Sequence, residues 1–217
     1  HIMLCPNLEK AETIHESLKN TCSDHNIFLF PGLDVSPYSG VIPSEGSLFH
    51  RFKVLDNLID NSRPTIILAT FESLSLKIPN KTFFLENSFN IEVSDICSPH
   101  DLAKKLVDKG YSSSTTVEEA GTFSLKGEIF DIFPISGKPV RIHYFDDMIE
   151  EIFEIDLETY KTNRDVSFEV VKICPSPLIF SKSPFSTKLR ENIPMPGPQF
   201  RNKFNTRKRV FSQLSDN

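Results

Sequence analysis

The seven residues Pro139 to Phe145, "PVRIHYF", alternate strictly between two side-chain classes, and that constrains the fold more than any other stretch. Side chains on a strand point to opposite faces with a period of two, so this run is a strand with two distinct sides. One side carries Val140, Ile142 and Tyr144, which suits a core. The other carries Arg141, His143 and Phe145, which does not suit an ordinary wet surface. The run follows "KGEIFDIF" and the turn Ser136-Gly137-Lys138. Further strand-like runs cover 122–126, 128–134, 148–155 and 166–174, joined by short polar turns, the pattern of an antiparallel meander. Gly127 is expected at a bulge or a close backbone approach. Two arrangements fit the strand from 139 to 145. Either Phe145 and Arg141 face outward as a binding surface, or a bulge flips the register, Phe145 enters the core and Arg141 snorkels.

The first 80 or so residues obey a different grammar. Buried-type strands "IMLCP", "NIFLFPG" and "PTIILAT" alternate with the helical patterns "NLEKAETIHESLKN", "LFHRFKVLDNLID" and "FESLSLKI". Asn7 is expected to cap the first helix, and Ser98 to start a later one that Gly110 stops. The segment "DVSPYSGVIPSEGS" reads as a loop. Such alternation argues for a parallel sheet in an α/β layer. Since the sequence opens on what is already a strand, residues upstream are expected.

The 217 residues suffice for a core without disulfides. The four cysteines show no C-x-x-C pair, which argues for reduced thiols rather than a zinc or redox site. No apolar run is long enough to cross a membrane as a helix, and no secretion signal is seen. Charge is uneven. From Lys161 onward 11 Lys/Arg face 4 Asp/Glu, a balance of +7, against −12 for the first 160 residues. An acidic body is a poor nucleic-acid binder, so only the tail "RNKFNTRKRV" has the right sign.

Catalytic patterns are missing. Ser136-Gly137-Lys138 mimics the end of a phosphate loop, but Pro139 takes the hydroxyl position and Ile132 stands where the first glycine belongs. No G-x-S-x-G elbow occurs, and the histidines lack metal-site spacing. Asp146-Asp147 and Glu150-Glu151 are adjacent acids that read as a solvated edge, not a general acid and base set across a substrate. The acidic run from Asp146 to Glu158 is open to three readings: repulsion of nucleic acid, pairing with a basic partner, or an edge that discourages aggregation.

The stretch "EEAGTFSLKGEIFDIFPISGKPVRIHYFDDMIEEIFEIDLETYKT" resembles the module shared by UvrB and the bacterial transcription-repair coupling factors (Mfd). Its running form there is E-x-G-x-F/Y-x-x-R/K-G-x-I/L-L/F-D, then a hydrophobic residue, F-P, a turn, and P-x-R-I/L-x-F/Y-F-x-D-x-I. Upstream, "LFPGLDVSPYSGVIPSEGSLFHRFKVLDNLI" and "PTIILATFESL" are similar to the coupling factors and not to UvrB. The resemblance spans about Met3 to Pro175. It implies a degenerate, RecA-like, P-loop-less helicase domain over 1–88, an inserted UvrA-binding α+β domain built on an antiparallel sheet over 89–173, and a return segment with a basic tail over 174–217. It further implies that UvrA is met by an arginine before the first conserved glycine, an arginine on the next strand and a phenylalanine four residues on. These fall on Lys126, Arg141 and Phe145. Lysine at 126 departs from the pattern, keeping the charge but losing the bidentate fork.

The function implied is a non-catalytic, cytoplasmic adaptor that recruits UvrA to stalled RNA polymerase. No cofactor is expected here. ATP and magnesium belong to a motor further along the full-length proteins, as do the contacts with RNA polymerase and double-stranded DNA. Two alternatives stand beside it: a fragment of UvrB, and a nucleic-acid-binding module acting through Arg201 to Arg209.

Overall fold

A computed structural model of the chain describes residues 1–35, 43–59 and 63–179. The expected loop over 34–47 falls partly outside these residues, and the basic tail falls wholly outside. The described chain is a mixed α/β structure with three sheets.

The N-terminal layer is a parallel sheet in the order β1-β3-β2, formed by β1 (Ile2–Cys5), β2 (Asn26–Phe30) and β3 (Thr65–Thr70). The helix α1 (Leu8–Thr21) starts where Asn7 Oδ1 accepts from the Lys10 amide at 2.9 Å, which satisfies one of the orphan donors of its first turn. The helix α2 (Glu45–Ile59) buries Phe52, Val54 and Leu55. After the single-turn α3 (Phe71–Leu74), a further helix, α4 (Lys81–Asn87), forms where the sequence pattern gave no assignment. Asn80 caps it, and Phe84 is buried against Phe52 with ring centroids 5.3 Å apart. Its short apolar run carries too few turns to show a helical period, so packing decides its state.

The second part begins with β4 (Phe89–Glu92) and α5 (Pro99–Asp108). Ser98 Oγ accepts from the Asp101 amide at 3.1 Å and donates to the Asp101 carboxylate at 2.7 Å, a local cap fixed by sequence alone. Gly110 has φ +89, and a Cβ there would lie 2.5 Å from the Ile179 backbone nitrogen, so only glycine fits. The main sheet has the order β10-β9-β8-β7-β6-β5. Its strands are β5 (Ser112–Ser113), β6 (Thr122–Lys126), β7 (Ile129–Phe133), β8 (Val140–Phe145), β9 (Met148–Ile155) and β10 (Thr162–Ser167). From β6 to β10 each strand pairs antiparallel with the next, as the meander pattern requires.

One expected strand is corrected. The run 166–174 is not a single last strand of the meander. It is split between β10 and β11 (Val170–Ile173), and β11 leaves to pair antiparallel with β4. The register between β9 and β10 jumps from Asn163↔Glu154 to Ser167↔Phe153, so the intervening residues are extruded and the ladder ends. Pairing with β4 then buries Ile91, Val171 and Ile173.

The core is continuous between the two parts. Phe52, Leu55 and Phe84 belong to the same buried cluster as Ile91, Tyr111, Phe130, Ile142 and Ile152. Each such side chain contributes about 1.5–3 kcal/mol through burial. Polar ties reinforce the junction. Lys172 Nζ meets Asp56 Oδ1 at 2.7 Å, and Asn57 Nδ2 donates to Ser136 Oγ at 3.1 Å. These ties fasten α2 to β11 and to the turn between β7 and β8, while α5 packs against β5 and β6 and the face carrying Phe145 is left outward. Among the described residues no helix is long and apolar enough to cross a membrane.

Candidate partner-binding surface

Val140, Ile142 and Tyr144 of β8 are buried, while Arg141 and His143 are half-buried and Phe145 is 64% exposed. The alternation therefore holds to the last residue. A bulge does exist, but its extra residue is in β9: His143 pairs with Glu151 and Tyr144 with Ile149, so Glu150 has no partner opposite. The irregularity leaves β8 in register. Of the two arrangements open in the sequence, Phe145 takes the outward one.

Arg141 is different. Its Nε and one terminal nitrogen donate to the two carboxylate oxygens of Asp131 at 2.7 and 2.8 Å, and the other terminal nitrogen donates to Thr162 Oγ1 at 3.2 Å. Asp131 is the direct cross-strand partner of Arg141. The two side chains keep only 15% and 19% of their exposure. The guanidinium thus already has a carboxylate within this chain. This is a bidentate, charge-assisted pair. The hydrogen bonds to Asp131 hold the arginine above its ordinary pKa, against the opposing effect of burial.

Lys126 ends β6 and is exposed. It pairs with Ile129, which pairs with His143, which pairs with Glu151, so one row runs across four strands on the outer face. Gly127 makes the turn after Lys126 with φ +63, and a Cβ there would meet nothing within 4 Å. The reason for this glycine is the positive φ of a two-residue hairpin turn, not the bulge or close approach expected from sequence. Lys126, Arg141 and Phe145 lie on the same face, with Lys126 two strands away from the other two.

Two residues on this face escaped the sequence reading. Met148, 39% exposed, is the cross-strand partner of Phe145, and Ile96, 84% exposed, forms a bridge with Met148. The position of Met148 was readable in principle, because a two-residue turn places it opposite Phe145. Ile96 carried no local signal, since its bridge joins segments far apart in sequence. Behind them the His143 ring stands edge-on to Phe153, with centroids 5.8 Å apart. His143 Nε2 and the Tyr144 hydroxyl are buried without a hydrogen-bond partner among the described residues. Burial raises the Tyr144 pKa, with Cys97 and Asp95 adding to it.

Elsewhere, an open cavity of about 610 Å³ sits at the carboxyl ends of the parallel strands, lined by residues including Asn7, Asp34, Ser47, Thr70, Phe71 and Glu72. Its described lining includes two acids and no lysine or arginine, which is unfavourable for phosphate. Among the described residues no group of three or more His, Cys, Asp or Glu is placed to hold a metal ion.

Comparison with known proteins gives a consistent result. Residues 89–177 match the family model described as the UvrB interaction domain. The chain is 29% identical over 158 residues to a transcription-repair-coupling factor of Rickettsia prowazekii, covering 73% of this chain and 14% of that protein. It is 30% identical over 137 residues to the one from Myxococcus xanthus, covering 63% and 11%. It is 27% identical over 151 residues to the one from Bacillus subtilis, covering 69% and 13%. The chain therefore spans only a small part of the length of the curated relatives it matches.

Proposed function

From a chain whose residues 89–177 are a UvrB interaction domain, similar over most of its length to transcription-repair-coupling factors, we propose a non-catalytic adaptor that docks UvrA. The observation that carries this reading is the exposure of Phe145 on a sheet whose other face is fully packed. A large aromatic held outward on a rigid strand loses little entropy on binding and supplies buried area, the property of an interface anchor. Lys126 adds a mobile cation at the other end of the face. Arg141, already paired, shapes the surface around Phe145 and offers its rim.

In this reading residues 1–88 form a degenerate helicase-like domain without a nucleotide site, 89–173 the inserted docking domain, and 174–217 the return of the chain. The protein works in the cytoplasm and brings UvrA to stalled RNA polymerase. ATP, magnesium and double-stranded DNA are handled by other parts of the full-length proteins. The names of the relatives support this reading over a UvrB fragment; the segment from Arg201 to Arg209 lies outside the described residues.

The test is capture of purified UvrA by the chain and its Phe145→Ala variant. Loss of an anchor of this kind costs about 2 kcal/mol or more, roughly thirtyfold in affinity. Because the ring is largely exposed, the variant's unfolding free energy stays within about 0.5 kcal/mol of the parent's. Equal capture by both proteins refutes the assignment.

A further inference from the structure

We propose that the docking contact is an apolar row three segments wide, Phe145, Met148 and Ile96, and that it takes an apolar socket bordered by lysines or arginines. This rests on the reading that the face docks UvrA. Directly opposed residues of an antiparallel ladder hold their side chains on one face, with Cβ atoms about 4.5–5.5 Å apart. Phe145 opposes Met148, and Met148 opposes Ile96, so the three side chains form one strip. Ile96 is the most exposed large apolar side chain among the described residues. Large apolar groups scattered singly need no explanation, but three exposed in succession mark an interaction surface.

The geometry is rigid. The segment bearing Ile96 is tied to β9 by backbone hydrogen bonds Ser94 to Ile149, Ile149 to Asp95 and Cys97 to Asp147, at 2.8, 3.0 and 2.8 Å. The strip is therefore presented as one preformed unit, which lowers the entropy lost on docking.

The charges around it decide what fits. Asp146 and Asp147 make up the turn between Phe145 and Met148, Asp95 adjoins Ile96, and Glu151 stands in the next row. All four are exposed, and none forms an ion pair among the described residues. Such a rim repels the phosphates of nucleic acid. It also opposes a second copy, whose Asp146 and Asp147 would meet their own kind. A basic border around an apolar socket satisfies both features at once.

The experiment measures binding of purified UvrA to the chain, with association rates at two salt concentrations and the sedimentation behaviour of the chain alone. Phe145→Ala serves as the reference variant. Ile96→Asp is expected to weaken binding about tenfold or more. Asp146→Asn with Asp147→Asn is expected to slow association severalfold at low salt and to flatten its salt dependence. Asn suits position 146, where φ is +53. Unchanged thermal unfolding of each variant excludes misfolding. Full binding by Ile96→Asp beside loss in Phe145→Ala overturns the row while leaving the adaptor reading intact. Tighter or faster binding by the Asn pair overturns the basic socket. No binding by the parent chain overturns both readings together. A parent dimer dissolved by Ile96→Asp assigns the strip to a second copy instead.

Discussion

Arg141→Met and Asp131→Asn, singly and together, test whether the guanidinium is committed within the chain. The two side chains are directly opposed, joined by two hydrogen bonds of 2.7 and 2.8 Å, and more than four-fifths removed from water. An exposed pair contributes about 0–1 kcal/mol, whereas removing one member of a fully buried pair costs about 3–5 kcal/mol. The observed burial falls between these limits and near the upper one. Arg141→Met leaves a mostly buried carboxylate without its cation and is expected to cost about 2–3 kcal/mol. Asp131→Asn keeps one acceptor oxygen and is expected to cost somewhat less. The double variant is expected to fall short of the sum by about 1–2 kcal/mol, which is the coupling. Urea unfolding of the four proteins at neutral pH measures it, and repetition in about 1 M salt changes it little because the pair is shielded from solvent ions. A coupling within about 0.5 kcal/mol of zero refutes the reasoning. If the guanidinium were reserved for a partner, Arg141→Met would abolish UvrA capture and leave stability untouched.

Three further outcomes follow from the same structure. Tyr111 is fully buried; its hydroxyl donates to the Cys174 carbonyl at 3.0 Å and accepts from the Ile135 amide at 3.2 Å, so Tyr111→Phe should lower the unfolding free energy by about 1–3 kcal/mol. Gly121 has φ +83 and its added Cβ would lie 2.9 Å from Ile135 Cδ1 and 3.2 Å from Phe49 Cζ; Gly121→Ala is therefore expected to reduce the melting temperature more than Gly127→Ala, which meets open space. The Asp34 carboxylate accepts from Ser44 and Ser47, which holds its pKa below the ordinary 3.8. Its contribution is present above that ordinary value and is lost as pH falls through the lower folded value. In Ser47→Ala the carboxylate resonance observed by NMR should titrate at a higher pH than in the parent.

Local chemistry accounted for much of this molecule. The period of two in β8 assigned each of its side chains to a face, because a pleated strand allows no other arrangement. Asn7 and Ser98 announced their helices, since a cap needs only a side-chain oxygen and the amides of the next turn. The parallel layer and the meander were likewise visible as a change in the spacing of apolar residues.

What the tertiary structure alone decided is who stands opposite whom. Asp131 neutralises Arg141 because the β7–β8 register sets them in one row, and a slip of one residue would have sent every partner to the other face. Ile96 completes the apolar row, and β11 abandons the meander for β4, through pairings between segments remote in sequence. Their stability is a sum over long-range contacts, which no local window of the chain contains. Residue types therefore determined what each face was made of, while register and packing determined which of those side chains stand together on the outward face.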